Sequence, residues 1–257
     1  MPVVAFRLGT EPFFTYSLLV DLGLLAALAA LVLEGRRRGW SGDQTLEVLA
    51  WALVPAVGSG RLTYVIVQWL ADPAQTWQLR QPWGDGLLFP GALLGGALGL
   101  GILAAWCRRS YWELVGAVVP GLALGQSFGW LGAAAQGAQA GLALPACRWA
   151  PHLRDVYGIV LPRFPLQYLA AALSLATWSL LTWRLSGDRE RLACYALLTG
   201  WGVPALLWGL ERRLILVAGL SLEQIGYLAL GWAGLALASL PHPSSTPHPT
   251  LRAQSRS

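Results

Sequence analysis

Residues 110–141 read SYWELVGAVVPGLALGQSFGWLGAAAQGAQAG, and the part from Leu114 to Ala138 contains no charged side chain. Twenty or so predominantly apolar residues are enough to cross a bilayer as a helix. The glycines, the proline and the glutamines that interrupt this segment are tolerated in a membrane where neighbouring helices or a wet cavity satisfy the freed backbone groups. The segment therefore predicts a transmembrane helix at the wall of a cavity.

Six further apolar segments flank this one, and hydrophobic residues make up 55% of the chain against 12% charged residues. This composition is typical of polytopic membrane proteins. We predict an all-α domain over 1–240 with seven transmembrane helices, followed by a Pro-, Ser- and Thr-rich disordered cytoplasmic tail over 241–257. The predicted spans are 14–33, 46–70, 87–106, 114–138, 165–185, 192–210 and 224–240. The second, fourth and sixth are interrupted and are expected to line the cavity.

All 18 basic residues are arginines, and the net charge is +5. The loops after the first, third and fifth spans, together with the tail, hold more of them than the opposite loops, so the positive-inside rule places the N-terminus outside and the C-terminus in the cytoplasm. The charge indicates topology and affinity for anionic headgroups, and nothing resembles a nucleic-acid module. We expect no cofactor, metal site or disulfide framework, because the three cysteines lack metal spacing and the tail histidines His242 and His248 are expected to be solvated.

Six segments in order resemble the prolipoprotein diacylglyceryl transferase family. They are TYSLLVDLG (15–23), GSGRLTYV (58–65), GDGLLFPGALLG (84–95), the segment 110–141, LPRFPLQYL (161–169) and SLEQIGYL (221–228). The resemblance implies a seven-helix protein of the bacterial inner membrane with a central cavity open to the lipid and to the outer face. The family moves diacylglycerol from phosphatidylglycerol to a lipobox cysteine thiol, which requires cations to hold the phosphate headgroup and stabilise the departing anion.

The chain departs from the family at most of its polar motif positions. Pro90 stands where the family has histidine, and Trp130 stands where it has arginine. Ala133 replaces an asparagine, Ala138 replaces a glutamate, and Ala205 aligns with an arginine of the sixth span. Tryptophan and alanine cannot make the bidentate, charge-assisted bonds that a phosphate requires. The catalytic set is therefore expected not to be intact.

Five remaining polar residues are candidates for binding a lipid or its headgroup: Tyr16, Arg61, Arg163, Gln167 and Arg212. Each also has a structural interpretation. Tyr16 suits an interfacial anchor, and Arg61 could pair with Asp21 to hold helices together. The other three could be loop residues in solvent.

Two further patterns concern packing. Gln136 and Gln139 are spaced to share a helix face. Gly91, Gly95 and Gly99 form a stripe of small residues that permits close helix approach.

Three functional hypotheses follow. The first is a catalytically impaired family member that binds lipid and serves as a scaffold or accessory subunit, with membrane lipids and other membrane proteins as partners. The second is an active transferase that uses Arg61, Arg163 and Arg212. The third is lipid transport through the inherited cavity, which the sequence does not separate from the first.

Overall fold

The computed structural model describes residues 4–8, 11–71, 86–207, 216–217 and 220–240. Within these residues the chain forms seven helices, one at each predicted span: α1 (Thr15–Arg37), α2 (Gly42–Ala71), α3 (Phe89–Cys107), α4 (Tyr111–Gln136), α5 (Leu166–Trp183), α6 (Asp188–Leu207) and α7 (Leu222–Ser239). Four of them, α1 to α4, are long and apolar enough to cross a membrane. The structure thus confirms a mostly helical membrane protein.

The all-α prediction missed three antiparallel hairpins of short strands. They are β1 (Val4–Leu8) with β2 (Glu11–Phe14), β3 (His152–Arg154) with β4 (Val160–Pro162), and β5 (Leu216–Val217) with β6 (Leu220–Ser221). Successive helices run in opposite directions, so the odd-numbered helices begin at the end of the bundle where the even-numbered helices finish. All three hairpins directly precede an odd-numbered helix and therefore lie at this same end. The predicted tail at 241–257 lies outside the described residues.

Helix α4 is at the centre of the bundle and packs against α1, α5 and α6. In an apolar stretch of 18 residues from α4, 61% of the residues are buried inside the protein, against 11% for α1 and 6% for α2. Close approach to α1 depends on small residues: a Cβ at Gly121 would lie 2.7 Å from the carbonyl oxygen of Ala27, and one at Gly23 would lie 2.8 Å from the Cβ of Phe128. The helix ends where Gly137 adopts a left-handed conformation with φ 73°.

The glycine stripe of α3 packs against α2, as the sequence predicts. A Cβ at Gly95 would overlap the side chain of Ser59 and the carbonyl of Pro55, and one at Gly99 would overlap the carbonyl of Trp51. The hydroxyl of Ser59 also donates to the carbonyl oxygen of Gly91 at 2.9 Å. Small residues therefore let the two helices approach closely enough for the Ser59 hydroxyl to bond the Gly91 carbonyl.

Prolines lie inside α2, α4 and α6 without ending these helices. Pro55, Pro120 and Pro204 are the residues concerned, and they account for the interruptions seen in the sequence. The carbonyl oxygen of Pro204 is 3.4 Å from the Nε2 donor of the buried Gln224 on α7. A neighbouring helix thus supplies a polar contact at the interrupted part of α6.

Candidate functional site

Four of the six motif segments, 84–95, 110–141, 161–169 and 221–228, meet at the end of the bundle where α4 and α6 end and α3, α5 and α7 begin. A cluster of buried apolar and aromatic side chains occupies this place, and we call it the Trp130 cluster: Trp130, Leu166, Ala170, Ala171, Val203, Leu207 and Tyr227. Phe89 and Phe164 pack against its edge. The structure therefore brings together residues from α3, α4, α5, α6 and α7.

Trp130 and Pro90 contribute packing at this site. Trp130 is 7% exposed and packs among the other buried members of the cluster. Pro90 lies against α7, where a Cβ at Gly226 would be 2.6 Å from the Cβ of Pro90. Next to it, Phe89 stacks on Tyr227 with ring centroids 5.9 Å apart. Two positions expected to be polar from the resemblance are thus held by apolar contacts.

The three alanine positions have different surroundings. The carbonyl oxygen of Ala133 accepts the backbone N–H of Ala138 at 2.9 Å, so both residues form part of the cap that ends α4. Ala205 is exposed on α6 and does not point into the Trp130 cluster. Ala205, the residue aligned with a motif arginine of the sixth span, therefore lies outside this cluster.

Arg163 is only 1% exposed, so it is not a solvated loop cation. Its Nη2 lies 3.0 Å from Oδ2 of Asp155, and its Nη1 donates to the carbonyl oxygen of Gly141 at 3.3 Å. A buried charge is tolerated when it is paired and hydrogen-bonded. Arg163 therefore holds together the loop between α4 and α5.

Asp155 was not identified from the sequence, although it is the only acidic residue in 137–165 and lies eight residues before Arg163. Its Oδ1 accepts the backbone N–H groups of Tyr157 and Ile159, both at 2.9 Å. Burial by itself raises the pKa of the Asp155 carboxyl, but these hydrogen bonds and the charge of Arg163 outweigh it and hold the pKa below its ordinary value. Asp155 thus stays ionised and fixes the turn between β3 and β4.

Gln167 is buried at the start of α5 and donates from Nε2 to the carbonyl oxygen of Ala138 at 2.8 Å. Among the described residues, its Oε1 acceptor is buried and has no hydrogen-bond partner. Gln167 therefore joins the end of α4 to the start of α5. Arg163 and Gln167 are both buried and bonded to residues of the loop between α4 and α5, so neither is a solvated loop residue.

Arg61 does not pair with Asp21, contrary to the prediction. The guanidinium of Arg61 donates to the carbonyl oxygen of Gly86 at 3.1 Å and lies 5.4 Å from the ring centroid of Tyr64. Asp21 is exposed on α1. Helices α1 and α2 share few contacts, because α1 packs on α4 while α2 packs on α3.

Tyr16 is 41% exposed at the start of α1, and Gly132 of α4 lies against its ring and backbone. This position at a helix end is consistent with an interfacial tyrosine. Gln139 does not share a helix face with Gln136, because α4 ends at Gln136 and Gln139 has a φ of 51° in the following turn. Arg212 lies outside the described residues.

Charged residues also cluster at the opposite end of the bundle, where the sequence predicts no site. Glu34 of α1 accepts Arg191 of α6 at 2.8 Å and Arg37 at 3.0 Å. Arg38, which follows α1, pairs with Asp188 of α6. The sequence signal was an acid, Glu34, followed after one glycine by three arginines, at the point where the predicted first span ends.

A second group of contacts at this end surrounds Trp40. The indole N–H of Trp40 donates to Oε1 of Glu113 at 3.0 Å, and Arg109 pairs with the same carboxylate at 3.2 Å. The guanidinium of Arg109 also lies 4.6 Å from the centroid of the Trp40 ring. Together the two groups join α1, α4 and α6 through charged side chains, which suits a structural role.

Comparison with known proteins gives a family match over most of the chain. A sequence profile described as prolipoprotein diacylglyceryl transferase matches residues 3–225. The chain is 29% identical over 239 residues to a phosphatidylglycerol-prolipoprotein diacylglyceryl transferase of Nitratidesulfovibrio vulgaris, covering 89% of this chain and 84% of the relative.

Two further relatives carry the same description. One, from Clostridium perfringens, is 26% identical over 189 residues, which cover 69% of this chain and 70% of the relative. The other, from Bacillus licheniformis, is 35% identical over 127 residues, which cover 49% of this chain and 47% of the relative. The similarity therefore extends over the segments that meet at the Trp130 cluster.

Proposed function

Because the chain belongs to the prolipoprotein diacylglyceryl transferase family, we propose that it is an inner-membrane protein that binds phospholipid without transferring its diacylglyceryl group. In this proposal it acts as a lipid-binding scaffold or accessory subunit for other membrane proteins. All seven helices cross the membrane, with the N-terminus outside. The excess of arginines at the end of the bundle that carries Arg38 and Arg191 supports this orientation.

One observation carries the proposal: the Trp130 cluster is apolar and tightly buried where an anion site would need cations. Removing one donor to a developing charge raises the activation barrier by about 3 kcal/mol, which lowers the rate roughly a hundredfold. At the positions of Pro90, Trp130, Ala133 and Ala138, several such groups are absent together. Arg163 does not replace them, since its guanidinium is engaged with Asp155 and Gly141.

The second candidate is an active transferase that moves diacylglycerol from phosphatidylglycerol to a lipobox cysteine. The descriptions of the relatives favour it, because each is named as such a transferase. In this case Arg61 and Arg212 would hold the headgroup with help from Arg163. The candidate requires a base that the aligned motif positions do not supply.

A transfer assay separates the two candidates. The purified protein in nanodiscs receives phosphatidylglycerol and a lipobox peptide, and mass spectrometry looks for the diacylglyceryl thioether. The relative from Nitratidesulfovibrio vulgaris serves as the positive control. We expect no product from this chain. Product formed by the unmodified chain, and absent from the Arg61→Gln and Arg212→Gln variants, would establish the transferase.

Lipid binding is tested separately by native mass spectrometry of protein extracted from its membrane. We expect phosphatidylglycerol to be retained and retention to fall in Arg61→Gln. Arg36→Gln is a matched control, because Arg36 is an exposed arginine at the opposite end of the bundle. Equal retention by both variants, or retention of uncharged lipids alone, would contradict a headgroup role for Arg61.

A further inference from the structure

The hairpin of β3 and β4 exposes large apolar side chains outside the helix bundle. Tyr157 at its turn is 63% exposed, and Trp149 just before it is 90% exposed. Val156, Ile159 and Val160 are also exposed at the same turn. Contiguous exposed apolar residues on a loop indicate an interaction surface. We call Trp149 together with 156–160 the apolar tip.

The side chains on the outside of this loop that are charged at neutral pH are cationic. Asp155 is the one carboxylate in 137–165, and it is buried against Arg163. Arg148 and Arg154, by contrast, are exposed beside the apolar tip. Sequestering the acid therefore leaves a surface that combines apolar side chains with positive charge. That combination is complementary to anionic phospholipids, whose headgroups lie directly above an apolar layer.

The hairpin is held against the end of a membrane-crossing helix. Gly137, which ends α4, packs so closely on the backbone of Asp155 that a Cβ there would lie 2.6 Å from the carbonyl oxygen of Asp155. The following helix, α5, begins at Leu166, and its Gln167 bonds back to Ala138. The hairpin is therefore at the level where the helices leave the bilayer, which is where exposed tryptophan and tyrosine are favourable.

The shape of the hairpin is set before any partner binds. Asp155 caps the turn through the N–H groups of Tyr157 and Ile159, and Gly158 takes the left-handed conformation with φ 86°. Arg163 holds the Asp155 carboxylate in place through their buried ion pair. A surface that is already ordered loses little conformational entropy on binding.

We infer that this hairpin is an interfacial membrane anchor that inserts its apolar tip into the outer leaflet and binds anionic phospholipid headgroups through Arg148 and Arg154. It rests on the proposed orientation, with the N-terminus outside, but it involves residues outside the Trp130 cluster and does not depend on which activity that cluster supports. Contact with the leaflet also fixes the loop between α4 and α5 relative to the bilayer surface.

A depth measurement tests insertion. Ile159→Cys is labelled with the fluorophore NBD in the full chain after Cys107, Cys147 and Cys194 have been changed to serine, and the protein is placed in nanodiscs. Gln44→Cys is the matched control, because Gln44 is an exposed residue in the first turn of α2. We expect a blue-shifted emission at 159, quenched by lipids that carry a nitroxide near the top of the acyl chain.

Emission at 159 like that of NBD in water, with quenching by iodide instead of by the lipid nitroxide, would overturn the inference. It would also leave the apolar tip as a surface for a protein partner. Monodisperse elution of both labelled proteins on size exclusion checks that folding is unchanged.

A second measurement tests the charge requirement. Nanodiscs containing phosphatidylglycerol are compared with nanodiscs of phosphatidylcholine alone, and nitroxide quenching at 159 is the readout. Each interfacial arginine strengthens attraction to an anionic surface by about fivefold. We expect quenching to drop without phosphatidylglycerol, and Arg148→Gln with Arg154→Gln to lose this dependence. Quenching that is equal in both lipids for the unmodified hairpin would overturn the headgroup role.

Discussion

Arg163 and Asp155 form a buried ion pair, with Nη2 3.0 Å from Oδ2, at the base of the hairpin between α4 and α5. The two residues of the pair have different structural roles in the loop. Asp155 caps the turn that carries the apolar tip, while Arg163 connects that turn to Gly141 near the end of α4. A candidate headgroup ligand identified from the sequence is therefore an internal support of the loop.

We predict that Arg163→Ala opens this loop without unfolding the helices. The variant leaves Asp155 without its cation, and proteolysis of a locally opened segment follows the population of the open form. Chymotryptic cleavage at Trp149 or Tyr157 in detergent should become roughly a hundredfold faster, because removing one partner of a buried ion pair costs about 3 kcal/mol. Arg148→Ala is the control, because Arg148 is exposed, and it should leave cleavage unchanged. Equal effects of the two variants would rule out the anchoring role.

The stability of the loop should depend on acid through Asp155. The pKa of Asp155 in the folded loop is below its ordinary value of 3.8, so the ionised form is favoured by folding. This contribution is fully present above the ordinary pKa and is lost as the pH falls through the lower, folded pKa. A bimane label on the native Cys147, with the other cysteines changed to serine, should therefore report loop opening only in strong acid. Asp155→Asn should abolish this transition, and a persisting transition would assign it to another group.

At the other end of the bundle, Glu34→Gln should destabilise the protein by about 3 kcal/mol. The reason is that Glu34 is buried among Arg37, Arg38 and Arg191, and removing one member of a buried network leaves the opposite charge uncompensated. Unfolding in mixed micelles measures the loss. Glu47→Gln is the control: Glu47 is exposed on α2, and an exposed substitution should change stability by less than about 0.5 kcal/mol.

Gly95→Ala should disrupt the contact between α2 and α3. Its Cβ would overlap Ser59 and the carbonyl of Pro55, and overpacking of this kind costs about 1 to 3 kcal/mol. Gly101→Ala makes the same chemical change on the same helix, but its Cβ would have its nearest neighbour at 3.9 Å. Thermal unfolding should show Gly95→Ala less stable and Gly101→Ala unchanged or more stable. Similar losses for both would indicate a general helix effect.

Trp130→Arg should restore the charge of the family motif without restoring a site. The Trp130 cluster consists of apolar and aromatic side chains, and an arginine at membrane depth costs about 3 kcal/mol. Trp130→Phe, which keeps an aromatic ring, should lose less stability. Fluorescence-detected size exclusion after heating compares the two. A stable Trp130→Arg variant that gains phosphatidylglycerol binding would show that this place in the bundle can accommodate an anion.

The positions of all seven helices could be predicted from the sequence, because apolar length is a local property that needs no knowledge of partners. Their ends could not. Residues 34–37 were assigned to a loop but continue α1, since Glu34 and Arg37 meet one another on the helix surface and Glu34 binds Arg191 on α6. The family resemblance is confirmed by the comparisons, and the glycine stripe of α3 is confirmed by its contacts with α2.

Composition and segment order by themselves determined the membrane environment, the helical class and the family, because burial of apolar surface in lipid depends on summed hydrophobicity along the chain. Tertiary structure alone decided which charges meet. Arg163 selects Asp155, Arg61 contacts Gly86 and Tyr64 instead of Asp21, and Glu34 meets an arginine 157 positions away. Ion pairs and hydrogen bonds act only over a few ångströms, so they depend on how the helices pack, which no local pattern contains.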